Sequence, residues 1–182
     1  WNRHGYAVLI PDTVGHLNLR GQRSSAYYAH LVEDIIVFVH WQNSGPVFLL
    51  GTSHGAIAAV NGAVHAAPGD IAGVVLTESV SVMGSSGETV FSAHPEKVQP
   101  PVLVVANRDD RCNVAPSQDA KRIGSAMTGS HEITVLMVAG GKTRSGKNCG
   151  SLTPHGYFGI EAEVITRIIT WLDATIRTST LR

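Results

Sequence analysis

Short apolar runs alternate with segments of helical periodicity along most of this 182-residue chain. Continuous apolar runs bounded by Pro, Gly or polar residues are typical of strands buried on both faces, and strands linked by helices cross over into a parallel sheet. The sequence therefore predicts an α/β fold with a doubly wound, mostly parallel sheet and helices on both faces. The predicted strands are residues 6–10, 47–50, 71–76, 102–106 and 133–138, and the predicted helices are residues 24–44, 56–67, 117–127 and 160–176.

The composition, 43% hydrophobic and 15% charged, is that of a single globular domain. Because 14 basic side chains balance 14 acidic ones, no charge excess favours nucleic acid or an anionic membrane, and a small-molecule substrate is the expected partner. No apolar run approaches the ~20 residues of a membrane span. Residues 79–101 lack a period and are rich in Ser, Gly and Pro, and a connection of this length predicts a lid that covers a substrate.

The second apolar run ends in "GTSHG", residues 51–55, which fits the pattern G-x-S-x-G between a predicted strand and a predicted helix. An ordinary strand-to-helix turn is one interpretation. The other is that Ser53 is a nucleophile held on a strained corner, where glycine at both flanking positions lets the strand and the helix approach closely. The backbone N–H of His54 would then be one donor of an oxyanion hole.

A serine nucleophile needs a base and a group that orients the base. Candidates follow later strands, at the edge where the sites of open α/β sheets form. Asp109 and Asp110 come after the fourth predicted strand, and His155 comes after the fifth and a glycine-rich loop. Glu78, shortly after the third predicted strand, is a further candidate for the acid. Turn formation and helix capping are the structural alternatives for these residues.

Taken in chain order, "GTSHG", "NRDDRC" (residues 107–112) and "CGSLTPHGYFGIE" (residues 149–161) resemble the motifs of α/β-hydrolase-fold serine hydrolases, in particular bacterial esterases and dienelactone-hydrolase-like enzymes. The resemblance covers nearly the whole chain. It implies that Ser53 is the nucleophile, Asp110 the acid and His155 the general base. The implied enzyme forms an acyl-enzyme with a small acyl substrate, an ester above all, and requires no metal or organic cofactor. Asp109 and Glu78 remain alternatives for the acid.

The resemblance also implies that the fold is incomplete at its N-terminal side. In the family, the second oxyanion donor lies on a loop before the strand that corresponds to residues 6–10, and the given sequence starts after that loop. A separate N-terminal segment or chain would complete the fold; otherwise the chain would be a weak catalyst, or a non-catalytic binding protein of the same fold. The lack of an initiator Met agrees with a processed or truncated product.

Cys112 and Cys149 are the two cysteines of the chain. Because the resemblance makes their loops neighbours, a disulfide that ties the acid loop to the base loop is expected. A disulfide would favour a periplasmic or secreted protein, whereas two reduced thiols would agree with a cytoplasmic one.

Residues 141–148, "GKTRSGKN", fit the phosphate-binding pattern G-x-x-x-x-G-K. Two features argue against nucleotide binding. Asn148 stands where a Ser or Thr would bind Mg²⁺, and no helix is predicted to follow whose N-terminus could hold phosphate. The stretch is therefore interpreted as a flexible basic loop near the active site.

Overall fold

The computed structural model describes residues 1–12, 19–42 and 44–180. Its centre is a parallel four-stranded sheet in the order β1-β2-β3-β4, so neighbours in space are also neighbours along the chain. The predicted parallel α/β architecture is confirmed. The elements are α1 Ala26–Gln42, β1 Phe48–Thr52, α2 His54–His65, β2 Gly73–Thr77, β3 Val102–Asn107, α3 Ala120–Ala126, β4 Ile133–Val138 and α4 Glu161–Thr180.

Both faces of the central strands are buried. On one face, Leu76 of β2 and Val104 of β3 pack in a core that includes Ile57 of α2. On the other face, Val75 and Leu103 pack against α4. Because successive side chains of a strand point to opposite faces, strands covered on both sides appear in the sequence as unbroken apolar runs.

The predicted strand at residues 6–10 is wrong. The segment has no strand geometry, and Val8, Leu9 and Ile10 are exposed, Ile10 by 85%. A strand persists only where its backbone groups pair in a ladder. Since β1 pairs with β2 and lies at the end of the sheet, residues 6–10 have no partner strand in the described part of the chain. Tyr6 is anchored by a 2.6 Å hydrogen bond from its hydroxyl to Asp173 of α4.

Residues 79–101 contain two short 3₁₀ helices, Val90–Ala93 and Pro95–Lys97. Several valines of this segment join the core, whereas Val82 and Met83 are exposed. The segment therefore has a packed base and an exposed part, and its covering of a substrate stays a prediction.

The other helices agree with the predictions apart from their ends. The helix predicted from residue 117 begins as a 3₁₀ turn, Ser117–Asp119, which continues into α3. Helix α2 begins at His54, directly after the predicted nucleophile.

Within the described ranges, no helix combines the length and apolar character that crossing a membrane requires.

Candidate active site

Ser53 occupies the turn between β1 and α2 in a strained backbone conformation, with φ 56° and ψ −119°. A positive φ is unfavourable for a residue with a Cβ and persists only where the surroundings hold it. Here the Ser53 N–H donates to the carbonyl oxygen of Thr77 on β2 at 2.9 Å. Serine at the start of a helix usually caps it with its hydroxyl, but the Ser53 hydroxyl makes no such bond. The turn therefore presents a hydroxyl that the helix does not use.

The two glycines beside Ser53 differ in what they contribute. A Cβ on Gly51 would lie 2.2 Å from the carbonyl oxygen of Gly55, so strand and helix meet too closely for any side chain at position 51. A Cβ on Gly55 would have no atom of the described residues within 4 Å. The prediction that close approach requires both glycines is therefore right for Gly51 and wrong for Gly55.

Asp110 and His155 form a buried hydrogen-bonded pair. Nδ1 of His155 lies 2.7 Å from Oδ2 of Asp110, and their side chains are 4% and 0% exposed. Because a carboxylate faces Nδ1, this nitrogen carries the proton of the neutral imidazole and Nε2 keeps a lone pair. Nε2 is buried and has no hydrogen-bond partner in the described part of the chain. The arrangement can therefore accept a proton from a hydroxyl at Nε2.

A single turn of 3₁₀ helix, Pro154–Gly156, positions the imidazole of His155. Oγ1 of Thr153 accepts the His155 N–H at 3.2 Å. The same hydroxyl donates toward the carbonyl oxygens of Asn148 and Gly150, at 2.9 and 2.7 Å. Thr153 thus ties the turn that carries His155 to the loop before it.

A disulfide between Cys112 and Cys149 joins the loop of Asp110 to the loop before His155, which confirms the predicted pairing. The Cys112 N–H donates to Oδ1 of Asp110 at 2.8 Å, so the bridge also restrains the carboxylate. The covalent link therefore restrains the loops of Asp110 and His155 in addition to their mutual hydrogen bond.

Asp109 lies in a different environment from Asp110. Its Oδ2 accepts the Gly140 N–H at 2.6 Å, and its own N–H donates to Oδ1 of Asn107 at 3.1 Å. Asp109 therefore connects the loop after β3, which also carries Asp110, to the loop that follows β4. The structure places Asp110, and not Asp109, against His155.

Asn107, the last residue of β3, is a site residue that sequence reasoning missed. It is fully buried, and its Nδ2 donates to the carbonyl oxygens of Gly140 and Pro154 at 3.0 and 3.1 Å. Its backbone N–H donates to Oε1 of Glu78 at 2.7 Å. The sequence signal for Asn107 is an amide side chain at the end of an apolar strand, because a buried polar side chain needs hydrogen-bond partners.

Glu78 follows β2, is 1% exposed and has a positive φ of 42°. An oxygen of Glu78, an oxygen of Asp110 and a ring nitrogen of His155 lie within 4.8 Å of one another. Burial, which is the largest cause, and contact with Asp110 raise the pKa of Glu78 to about 9. This carboxyl therefore keeps its proton at neutral pH.

The same three side chains are of the types that bind metal ions. The 2.7 Å between Nδ1 and Oδ2 is, however, a hydrogen-bond distance. Two ligands of a tetrahedral zinc ion lie roughly 3.3 Å apart, given metal–ligand distances near 2.0 Å. The geometry is therefore that of hydrogen-bonded side chains.

Comparisons with known proteins identify the fold. Residues 1–85 match the family model described as serine aminopeptidase, S33. The monoacylglycerol lipase of Paleococcus ferrophilus superposes with a TM-score of 0.57 at 16% identity, over 81% of this chain and 74% of that one. The chain has the α/β-hydrolase fold.

Two further structures agree with this assignment. A metagenome-derived lipolytic enzyme gives a TM-score of 0.59 at 15% identity, over 90% of this chain and 80% of the other chain. The esterase Pf2001 of Pyrococcus furiosus gives 0.56 at 11% identity, over 88% and 65%. A search of curated protein sequences finds no match. At such identities the structural likeness establishes the fold, and the roles of individual residues are argued from the geometry.

His54, the first residue of α2, follows the Ser53 turn. Its N–H is one of the first four of the helix, which have no partner inside a helix, as an oxyanion donor requires. Burial lowers the pKa of its imidazole, and Arg23 and Arg20 lower it further. His155 also contributes to this lowering of the His54 pKa.

Residues 141–148 do not have the form of a phosphate-binding loop. The chain passes from them through turns into the three-residue helix Pro154–Gly156, which is too short to provide a phosphate-binding N-terminus. The Lys142 and Arg144 N–H groups donate to the carbonyl oxygens of Phe158 and Leu152. The stretch therefore folds back beside the loop of His155, and its flexibility stays a prediction.

Proposed function

We propose that the chain is a serine hydrolase that cleaves an ester, thioester or peptide-like acyl bond, most readily a carboxylic ester, through Ser53, His155 and Asp110. One observation carries the proposal: Nδ1 of His155 is bonded to Asp110 at 2.7 Å while Nε2 is buried and unpartnered among the described residues. The strained turn that exposes an unused serine hydroxyl supports it. The family match and the lipase and esterase structures support a hydrolase.

The reaction begins when Oγ of Ser53 attacks the acyl carbon as Nε2 of His155 takes the hydroxyl proton. The carbonyl π electrons move to oxygen, and the His54 N–H donates to that oxyanion. Asp110 stays ionised and stabilises the imidazolium through Nδ1–H. The intermediate then expels the alcohol, thiol or amine, which receives the proton from Nε2, and Ser53 remains acylated.

Deacylation repeats these steps with water as the nucleophile. Nε2 of His155 takes a proton from water as the hydroxide oxygen bonds to the acyl carbon. The second tetrahedral intermediate expels the Ser53 oxygen, which recovers its proton from Nε2. The carboxylic acid leaves, and the starting protonation states of His155 and Asp110 are restored.

Labelling with a fluorophosphonate probe tests the nucleophile. We expect the wild-type protein to be labelled and Ser53→Ala not to be labelled, because the probe phosphonylates an activated serine. Ser125→Ala, on the exposed side of α3, is the matched control and should be labelled like the wild type. Equal labelling of Ser53→Ala would refute the nucleophile, and an unlabelled wild-type protein would favour a non-catalytic binding protein of this fold.

We propose that residues 79–101 cover the substrate side of the site. Glu88 of this segment is buried and accepts the N–H groups of Gly21 and Ser24 at 2.9 and 3.0 Å, which ties the segment to the loop before α1. Met83, which is exposed, is then placed to contact a substrate. Met83→Ala should change the preferred acyl chain length of p-nitrophenyl esters while probe labelling persists; an unchanged preference would contradict the proposal.

We propose, from the family resemblance, that the second oxyanion donor comes from a separate polypeptide segment or chain. Loss of one donor typically lowers kcat by about 10²–10³, so the 182-residue chain alone should react slowly with the probe. Labelling the native protein and measuring its intact mass tests this. We expect a labelled species heavier than 19.3 kDa or a co-purifying chain; a labelled species of that mass without a partner would contradict it.

A further inference from the structure

Glu78 is a buried carboxyl group that the proposed reaction does not use. Its Oε1 accepts the Asn107 N–H at 2.7 Å. Its Oε2 is buried and meets no hydrogen-bond partner of good geometry in the described part of the chain. Oxygens of Glu78 and Asp110 and a nitrogen of His155 lie within 4.8 Å of one another. The group thus adjoins the Asp110–His155 pair and is shielded from solvent.

Two carboxylates this close in a buried site do not both ionise at neutral pH, because each disfavours the charge of the other. Asp110 is the better stabilised anion. Its two oxygens receive Nδ1–H of His155 and the Cys112 N–H, at 2.7 and 2.8 Å. Glu78 receives the backbone N–H of Asn107. The proton therefore resides on Glu78 and the charge on Asp110.

We propose that Glu78 is a positioning residue: it stays protonated and directs its proton at Asp110, so that the two carboxyl groups present one negative charge to His155. This inference rests on the proposed function for its kinetic consequences, although the proton on Glu78 can be observed without any reaction.

The groups that face Glu78 from the neighbouring elements agree with a neutral carboxyl. β3 contributes the Asn107 N–H, the acid loop contributes Asp110, and the base loop contributes His155 and Tyr157. The Tyr157 hydroxyl donates to the carbonyl oxygen of Val105 at 3.3 Å, and burial raises the pKa of Tyr157, so it too is neutral. Among these groups, the one that becomes cationic in the reaction is His155, which is already bonded to Asp110.

A single negative charge beside His155 suits its proposed role as the general base. His155 must take the Ser53 proton and then return it to the leaving group, which requires a balanced proton affinity. A second negative charge within 4.8 Å would hold the proton on the imidazole. Directing the Glu78 proton at Asp110 also fixes the carboxylate that orients Nδ1.

The first experiment observes the proton itself. Isotope-edited infrared spectroscopy on the ¹³C-glutamate-labelled protein at pH 7 should show the C=O band of a protonated buried carboxyl. The band should vanish in Glu78→Gln and persist in Glu88→Gln, a matched variant of another buried glutamate. Absence of the band from the wild-type protein, or its persistence in Glu78→Gln, would overturn the inference whether or not the protein hydrolyses esters.

The second experiment separates positioning from packing by ester hydrolysis. The amide of Glu78→Gln can donate to Asp110 and accept from Asn107, so most of kcat should remain. Glu78→Met can do neither, and kcat should fall about 10–100-fold with little change in KM. Wild-type kcat in a folded Glu78→Met would refute the positioning role.

The dependence of the hydrolysis rate on pH distinguishes positioning from packing, because a Glu78 that served only in packing would not affect it. The wild-type rate should fall above pH 9, where Glu78 loses its proton, and Glu78→Gln should lack this fall. If the hydrolysis rate of Glu78→Gln falls above pH 9 as in the wild type, the inference is overturned. This test does not depend on whether Glu78→Met folds. An infrared band without any ester hydrolysis would instead reject the proposed function and keep the proton assignment.

Discussion

The loops after β3 and β4 and the turn after β1 carry the two halves of the proposed site, and the two regions are built differently. Asp110 and His155 are buried, bonded to each other and linked through the disulfide of their loops. Asn107 adds hydrogen bonds to the same two loops. The acid–base half is therefore preorganised by several independent restraints within this chain.

The nucleophile half depends on fewer contacts. Ser53 follows β1, whose described partner is β2 alone, and Leu50 in the middle of this edge strand is half-exposed. Residues 7–10, which precede this region in the chain, are exposed and form no strand. Contacts within this chain therefore suffice to position the proposed base, whereas the proposed nucleophile and oxyanion donor depend on the environment of the β1 edge.

The largest effect is expected at the acid. Asp110→Asn should lower kcat by about 10³–10⁴, because an amide cannot stabilise the imidazolium and favours the wrong tautomer of His155. Asp109→Asn, the matched neighbour, should lower kcat less than about tenfold, since Asp109 braces the Gly140 loop. Steady-state ester hydrolysis measures both. Equal losses would show that the two carboxylates are not distinguished as the geometry implies.

Two buried asparagines compare the halves directly. Asn107→Ala removes one hydrogen bond each from the carbonyl oxygens of Gly140 and Pro154, and Asn61→Ala removes one each from those of Arg23 and Ser25. Each variant should lose about 2–5 kcal/mol of unfolding free energy in urea. Asn107→Ala should also lower kcat, because Pro154 adjoins the base, while Asn61→Ala should keep it. A wild-type kcat in Asn107→Ala would show that the hydrogen bonds of Asn107 do not help to position His155.

The disulfide should stabilise the acid–base half. Reduction, or Cys149→Ser, is expected to cost about 2–4 kcal/mol of unfolding free energy. Hydrogen exchange should rise in the loops of Asp110 and His155 and stay unchanged in α2. Urea unfolding with and without reductant measures the first effect, with Cys149→Ser as the control that reductant must not alter. Uniformly faster exchange in both halves would contradict a local role.

Stability should depend on pH through Glu78. Its pKa is raised from 4.5 to about 9 in the folded protein, so the folded state holds a proton that the unfolded state releases. The contribution is complete below pH 4.5 and is lost as the pH rises toward 9, by up to about 1.4 kcal/mol per pH unit. Glu78→Gln should flatten this slope in urea titrations at pH 5, 7 and 9. Parallel slopes would count against a buried neutral Glu78.

The smallest effect is expected in residues 6–10. Ile10→Ser should change the unfolding free energy by less than about 0.5 kcal/mol, because its side chain is exposed. Leu103→Ala, in the core beneath α4, should cost about 2–5 kcal/mol. A large loss in Ile10→Ser would mean that this segment is packed against something in solution.

The sequence was sufficient where local chemistry decides the structure. The four runs that became β1 to β4 are bounded by Pro, Gly or polar residues and contribute side chains to the cores on both faces, so their apolar content alone predicts them. The proximity of Asp110 and His155 is predictable because the carboxyl ends of parallel strands share an edge. Residues 6–10 have the same apolar pattern, but a strand also needs a partner, which a pattern cannot supply.

The features that the sequence did not reveal depend on distant contacts. Asn107 acquires its role from groups on β2 and on two loops far along the chain. The proton on Glu78 results from burial beside Asp110, which no local pattern encodes. The difference between Gly51 and Gly55 depends on how closely one helix turn passes over one strand, which the motif leaves open.

The spatial order of the strands repeats their order along the chain. Since synthesis proceeds from the N-terminus and domains fold as their segments emerge, Ser53 leaves the ribosome first and His155 follows only after β4. Until then Ser53 has neither its proposed base nor the bridged loops that hold His155. The acid–base half of the proposed site would thus be assembled in a single late step of folding, when the loop of His155 packs against the end of β3.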